Sequence, residues 1–184
     1  MMSTTHAAMG ASLAVPVACV APELAVVVAL AAVLGGVFPD LDVVGEHRKA
    51  LHFPVYYWAL ALPAAAAALA WPGPLTAALA AFLVAAALHS AVDVLGGGLG
   101  LRPWEDDDDR GVYVHPLRRW LRPRRVVRYD GAPEDLLAYA LFAAPVGLLL
   151  ADPVPALAAG GFLASAGYVL VRKRIPDVTP ERFR

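Results

Sequence analysis

Six apolar segments, separated by polar or proline-containing breaks, constrain the fold of this 184-residue chain more than any other feature. A helix needs about 17 to 25 apolar residues to span a bilayer. The third, fourth and sixth segments reach that length, whereas the other three, at about 15 or 16 residues, are marginal. The segments are Ala7–Ala21, Leu24–Phe38, Phe53–Trp71, Leu75–Leu95, Leu136–Ala151 and Val154–Val171.

The composition agrees with a membrane protein. Hydrophobic residues make up 59% of the chain and charged residues 17%, against about half and a quarter in soluble domains. The net charge of −1 gives no basic surface for nucleic acid, so no nucleic-acid partner is expected. Cys19 is the single cysteine, which rules out an intrachain disulfide, and it is predicted to be a small core residue. No Lys or Arg precedes the first segment, so it is not expected to be a cleaved signal.

The connections between segments are of two kinds. Short proline-containing breaks, Pro22-Glu23, Pro72–Pro74 and Asp152-Pro153, join the segments in pairs and are typical of turns between antiparallel helices. Long charged connections, 39–52 and 96–135, separate the pairs. We therefore predict an all-α, polytopic membrane bundle of about six helices in three hairpins. Four to six of the helices would span the bilayer, within one domain covering residues 1–184.

The basic residues predict the orientation of this bundle. All 15 lie in the two long loops or in the tail after Val171, which the hairpin arrangement puts on one side of the membrane. Because loops rich in Lys and Arg stay cytoplasmic, we expect the N-terminus, both long loops and the C-terminus at the cytoplasmic face of the cell (inner or plasma) membrane. The acidic run Glu105–Asp109 is interpreted as a solvated loop, with a cation-binding loop as the alternative.

Histidine and aspartate side chains recur at the predicted cytoplasmic helix ends. His89 and Asp93 are four residues apart, which places an imidazole and a carboxylate on one helical face, as in half of a divalent-metal site. His52 precedes the third segment and His6 precedes the first. Taken singly, each has an ordinary interpretation as a surface, capping or packing residue. Together they predict a metal site.

Two more carboxylates, Asp40 and Asp42, follow Pro39 at the end of the second segment. Proline is expected to end the helix and start an extended piece, in which the two side chains point in different directions. One could bind a metal while the other binds a second metal or orients a histidine. The neighbouring Arg48 and Lys49 could be no more than positively charged membrane anchors.

Three stretches resemble the membrane-bound metal-dependent hydrolase family, also described as LexA-binding, inner-membrane-associated hydrolases. They are FPDLD (38–42), HRKALH (47–52) and LHSAVDVLGGGLGLRPW (88–104), so the resemblance covers about residues 1 to 104. Members of the family are small multi-helix membrane proteins, distantly similar to zinc-dependent phospholipase C and P1-type nucleases. The chain departs from the family pattern at Val43, where many members have a histidine, and at 49–53, where many have Gly-x-Thr-His-Ser.

The resemblance implies a set of site residues and a cofactor, most simply zinc. Its implied metal ligands or their carboxylate partners are His6, Asp40, Asp42, His52, His89 and Asp93. His47 and Arg48 are implied as further site residues. In the resulting hydrolase hypothesis, Asp42 takes a proton from water and Arg48 holds an anionic group of a phosphoester or lipid-like substrate.

Two competing hypotheses remain at this stage. In the first, the same residues form a structural metal site or a polar cluster that holds the helices together, and the Arg-rich loop 118–128 binds anionic lipid or a partner. In the second, the chain transports a metal or another ion. Ligands near the bilayer midplane favour transport, whereas ligands at one face favour the other two. An open coordination position beside a cleft would distinguish a hydrolase from a structural site.

Overall fold

The computed structural model of the chain describes residues 1–105 and 108–179. Asp106 and Asp107 of the acidic run, and Arg182 and Arg184 of the basic tail, lie outside these residues. The described chain is mostly helical. Its α-helices are α1 (Ser3–Ser12), α2 (Ala14–Val20), α3 (Pro22–Val37), α4 (Tyr56–Ala70), α5 (Pro74–Val92), α6 (Pro133–Leu149), α7 (Val154–Val171) and α8 (Ile175–Val178).

Four helical stretches are long and apolar enough to cross a membrane: Ser3–Val20, Pro22–Val43, Pro74–Leu95 and Val154–Val178. The first two segments, marginal at the lengths read from the sequence, reach this length because their flanks extend them. The first gains a turn at its N-terminus, and a 3₁₀ helix over Phe38–Val44 lengthens the second. The third segment is shorter than expected, with 15 helical residues, because Pro54 biases the residue before it towards an extended conformation.

Small residues bring the helices into close contact. α3 packs against α1, α2 and α5, while α4 packs on α5, and α6 packs on both α1 and α7. A Cβ atom at Gly35 would lie 2.1 Å from the Phe82 carbonyl oxygen of α5, and one at Gly36 would lie 2.5 Å from the His6 carbonyl oxygen of α1. Since only glycine permits these distances, α3 touches both neighbours backbone to backbone.

Cys19 does not belong to this core, contrary to the prediction from its apolar surroundings. It is exposed on α2, where Ala14 is the buried residue. The apolar sequence around Cys19 is uniform and does not indicate which face of the helix packs inward.

The second long loop contains a strand pair that the all-α prediction lacks. β1 (Val112–Val114) pairs with β2 (Arg119–Leu121) in antiparallel register, and a 3₁₀ turn over His115–Leu117 joins them. Strands of three residues are too short for a convincing alternation of polar and apolar residues in sequence.

This loop folds back on the ends of the helices. The Tyr113 backbone N–H donates to the Arg48 carbonyl oxygen at 3.1 Å, and the Arg124 and Arg125 N–H groups donate to the carbonyls of Val94 and Gly96 at 2.6 and 3.1 Å. The loop therefore covers the end of the bundle where the predicted metal ligands lie.

Candidate metal centre

Four helix ends or adjoining segments carry the predicted ligands. His6 lies in the first turn of α1, and His89 lies in the last turn of α5. Asp93 directly follows α5, and Asp40 lies in the 3₁₀ helix that follows α3. His52 comes from the loop before α4. Their mutual distances place all five at one end of the bundle.

Four of these residues, Asp40, His52, His89 and Asp93, converge and could together hold a metal ion, and we call this candidate site the metal centre. One ligand atom from each lies within 4.8 Å of the others. His52 Nε2 lies 3.1 Å from His89 Nε2, 3.2 Å from Asp93 Oδ2 and 3.7 Å from Asp40 Oδ1. His89 Nε2 lies 3.3 Å from Asp40 Oδ1 and 3.7 Å from Asp93 Oδ2.

Five of the six separations between these ligand atoms are close to those of a tetrahedral metal site, and the sixth, between the Asp40 and Asp93 oxygens, is within 4.8 Å. Zinc bonds of 2.0 to 2.2 Å to nitrogen and oxygen imply ligand-to-ligand distances of about 3.3 to 3.6 Å around a tetrahedron. The five distances lie between 3.1 and 3.7 Å. Two imidazoles and two carboxylates at this spacing could hold a metal ion.

The hydrogen bonds on the far side of the two imidazoles fix their orientation. His89 Nδ1 lies 2.5 Å from the carbonyl oxygen of Gly36, which can only accept, so His89 Nδ1 is the donor. His52 Nδ1 lies 2.9 Å from Asp42 Oδ2. With Nδ1 as the donor in each ring, both Nε2 atoms point at the centre. At 3.1 Å from each other they can share a proton or bind a common cation.

Electrostatics at His52 also favours positive charge. Burial lowers the pKa of His52, but hydrogen bonds to Asp42 and Asp93 outweigh it and raise the pKa above its usual value. The carboxylates that attract a proton here would equally attract a metal ion.

Asp42 lies outside the metal centre, directly behind His52. Its Oδ2 accepts from His52 Nδ1 and from the Leu51 N–H at 3.1 Å, and its Oδ1 accepts from His47 Nδ1 at 2.8 Å. The residue is only 3% exposed. The sequence predicted that the side chains of Asp40 and Asp42 would point in different directions. They do so because the backbone forms a 3₁₀ helix there, and not because it is extended as predicted.

His6 and Arg48 support the centre through Asp93. His6 Nε2 lies 3.0 Å from Asp93 Oδ1, and the His6 ring stacks on His89 with centroids 3.7 Å apart. Arg48 Nε lies 3.3 Å from Asp93 Oδ2, while its NH1 donates to the carbonyls of Gly97 and Gly111 at 2.6 and 3.2 Å. The buried Arg48 guanidinium therefore fixes Asp93 and the overlying loop.

A cleft of about 640 Å³ borders the metal centre. Asp40, His47 and Arg48 line one part of it. His47 is the most accessible of the predicted site residues there, with 35% of its side chain exposed. The cleft thus reaches the metal centre at Asp40, while the other three members of the centre are buried.

The opposite wall of the cleft contains residues that the sequence did not suggest. Arg172 forms a two-pronged ion pair with Asp130 at 2.8 and 2.9 Å, and the Tyr168 hydroxyl also donates to Asp130. Asp135 does not line the cleft itself; it is buried and accepts from the N–H of Met2, which does line it, and from the Thr5 hydroxyl, both at 2.7 Å. These residues come from distant parts of the chain and share no spacing that could have identified them.

No family model, curated protein or solved structure was found to match this chain. The metal centre is accordingly described by its own geometry: a nitrogen and oxygen donor set, oriented imidazoles and a bordering cleft.

Proposed function

We propose that this chain is a multi-pass membrane protein with a zinc-dependent hydrolytic centre at its cytoplasmic face. The observation that carries the proposal is the convergence of one ligand atom each from Asp40, His52, His89 and Asp93 within 4.8 Å of one another, beside a cleft. The resemblance of residues 1 to 104 to the membrane-bound metal-dependent hydrolases supports it further. The helices would form three hairpins with their basic loops in the cytoplasm.

Nitrogen and oxygen ligands in tetrahedral arrangement suit zinc better than magnesium or calcium, which prefer six or more oxygen ligands. When bound, zinc would lower the pKa of a coordinated water to about 7 and polarise a phosphoryl oxygen of the substrate, which assists attack at the phosphorus. Asp40 is the ligand at the cleft, and its second oxygen accepts from the Ser3 hydroxyl, which orients it. Substrate would therefore approach from the Asp40 side.

The geometry favours His47 over Asp42 as the group that transfers a proton. Both oxygens of the buried Asp42 are already hydrogen-bonded, whereas His47 lines the cleft. Asp42 accepts a hydrogen bond from His47 Nδ1, which leaves Nε2 of His47 to exchange a proton with the reacting group. Asp42 acts in this proposal as a positioning residue for both His47 and His52.

The cleft supports a lipid-like phosphoester as substrate. Its wall includes Ala164, Tyr168, Arg172 and Ile175, which follow one another along the helical stretch Val154–Val178 over about 16 Å at the helical rise of 1.5 Å per residue. The stretch Val154–Val178 is apolar and largely unburied, because only 11% of an apolar 18-residue part of it lies buried inside the fold. A polar group would lie at Asp40 and His47, and an apolar chain would lie along α7. Because the Arg48 guanidinium already contacts Asp93 and two backbone carbonyls, we propose that it supports the site and does not hold the substrate.

The position of the metal centre argues against transport. Asp40 and Asp93 follow the ends of their α-helices, and His52 precedes one. Transport sites usually lie near the bilayer midplane, at breaks within helices. A site at the helix ends is accessible from one face only.

A structural metal site is the second candidate, and one observation favours it. The chain supplies four ligands, as closed structural zinc sites do, whereas catalytic sites commonly use three and keep one position for water. In this case the metal would hold the ends of α3 and α5 together, with no turnover.

The first test is the metal content of protein purified in detergent without chelators. We expect about one zinc per chain, lost in His89→Ala and Asp40→Asn and retained in His115→Ala. His115 is a suitable control because it packs against Phe53, with ring centroids 4.7 Å apart, and belongs to no group of possible metal ligands among the described residues. Absence of metal in the wild type would overturn both candidates.

His47→Ala then distinguishes the two candidates. We expect this variant to retain zinc and lose at least 100-fold in hydrolysis of phosphoesters and phospholipids, as expected for loss of an acid–base group. Zinc-loaded wild type that hydrolyses none of these substrates, but unfolds at a lower temperature once the zinc is removed, would establish the structural site.

A further inference from the structure

The turn that joins β1 to β2 carries an unusual exposed group. Pro116, Leu117, Arg118 and Arg119 are all exposed, and Leu117 is 57% exposed. We call these four residues the hairpin tip. The hairpin tip therefore exposes one apolar side chain followed by two cations at the end of a β-hairpin. Such a group can contact a charged surface that also has an apolar layer.

The structure divides the arginines of this loop into paired and unpaired ones. Several are neutralised by neighbouring carboxylates, with Arg110 on Asp108 at 2.7 Å, Arg122 on Asp109 at 2.6 Å and Arg128 on Glu134 at 2.8 Å. Arg118, Arg119 and Arg124 have no ion-pair partner within residues 1–105 and 108–179. Two of these three lie next to each other at the hairpin tip, so among the described residues the tip carries two adjacent cations without a carboxylate.

The hairpin tip lies beside the first turn of an apolar helix. The His115 ring packs against Phe53 at 4.7 Å and Tyr56 at 6.1 Å between centroids, and Tyr56 begins α4. Val55 and Tyr56 are about half exposed. Exposed aromatic and basic residues at the start of an apolar helix are typical of a membrane–water boundary.

The backbone holds this group in a defined shape. Val114 pairs with Arg119 in the strand register, and the Arg118 N–H donates to the His115 carbonyl oxygen at 3.1 Å. The backbone of Arg118 has a φ of 49°, in the left-handed region that residues other than glycine and asparagine seldom adopt. The two guanidinium groups are therefore carried on an ordered turn.

We infer that the hairpin tip binds the headgroups of anionic phospholipids in the bilayer around α4. Arg118 and Arg119 would contact the phosphates, and Leu117 would enter the boundary region. The inference rests on the membrane placement in the proposed function but not on the metal centre. It therefore survives if the protein proves to have no hydrolase activity.

The experiment counts lipids retained by the full-length chain in mild detergent, using native mass spectrometry with added phosphatidylglycerol or phosphatidylcholine. We expect the wild type to retain phosphatidylglycerol preferentially. Each basic residue near an anionic surface contributes about fivefold in affinity, so Arg118→Ala/Arg119→Ala should lose about 25-fold of the preference. Arg128→Ala is the matched control, because Arg128 is exposed but already paired with Glu134.

Replacement by lysine at both positions should restore most of the preference, since the charge is retained. Equal retention of the two lipids by the wild type would overturn the inference. So would a double variant that keeps the preference, or a loss in Arg128→Ala as large as that in the double variant. Binding of a soluble acidic protein or of nucleic acid in place of the lipid would also count against it. Circular dichroism of each variant confirms that the helices are intact.

Discussion

The metal centre and the hairpin loop are both rich in charged side chains, but they differ in burial. At the metal centre His52, His89 and Asp93 are buried, and hydrogen bonds and ion pairs hold them from several sides. In the loop, pairs such as Arg122 with Asp109 are open to solvent. A buried polar group requires a partner or an ion, whereas an exposed pair gains little. The same residue types therefore form a site in one place and a solvated surface in the other.

The strongest test of this difference is Asp93→Ala. The substitution leaves Arg48 and His6 buried without their carboxylate, so we expect a loss of about 3 to 5 kcal/mol in the free energy of unfolding, together with loss of the metal. Thermal unfolding in detergent and metal analysis measure both. Asp109→Ala, which breaks an exposed pair with Arg122, is the control and should change stability little. Equal effects of the two variants would contradict the comparison.

Gly36→Ala tests whether helix contact positions the centre. The added methyl group would meet the His6 carbonyl oxygen at 2.5 Å and force α1 away from α3. We expect a destabilisation of about 1 to 3 kcal/mol, as for overpacking, and weaker metal binding. Gly160→Ala in α7 is the matched control, because nothing lies within 4 Å of its added Cβ atom. If Gly36→Ala binds zinc as the wild type does, close helix contact is not what positions the ligands.

Asp42→Asn tests a residue that is hydrogen-bonded to His52 of the metal centre but lies outside the centre itself. The asparagine can still accept one hydrogen bond but loses the charge that orients and polarises His52, so zinc affinity should fall about 10- to 100-fold. Titration against a fluorescent zinc chelator measures the change. Asp109→Asn in the exposed loop should leave the affinity as it was, and an unchanged affinity in Asp42→Asn would remove Asp42 from the site.

The smallest effect is expected at the exposed pair of Arg128 and Glu134. The hydrogen bond and charge of Arg128 lower the pKa of Glu134 from 4.5 to about 2. Because the folded-state pKa is the lower one, the pair stabilises the fold above about pH 4.5, and this contribution is lost as the pH falls to about 2. Glu134→Gln should remove less than about 1 kcal/mol at pH 7. Unfolding measured against pH in both proteins tests this, and a pH-independent difference would contradict it.

Much of the helical organisation could be predicted from sequence. Pro22, Pro74 and Val154 begin helices within a few residues of the predicted segment starts, because proline and polar breaks act locally. The lengths were less predictable. Pro54 shortened α4, and the 3₁₀ helix after Val37 lengthened the second span, since these depend on how the ends pack.

The candidate ligands were also predictable as a group but not in their separate positions. The sequence indicated Asp40 and Asp42 as equal candidates, and the fold places one at the metal centre and the other behind His52. Both lie in the same short 3₁₀ helix, where residues two apart point to different sides. Their roles depend on which side faces His89.

By itself, the sequence determined the apolar segments, their breaks and the types of side chain at the helix ends, because hydropathy and proline geometry are local properties. Only the tertiary structure decided which atoms meet: Gly36 against His6, Asp130 against Arg172, and the loop hairpin over Arg48. These contacts join residues far apart in the chain. They depend on interatomic distances that must be right to within a few tenths of an ångström, and no spacing along the sequence encodes these distances.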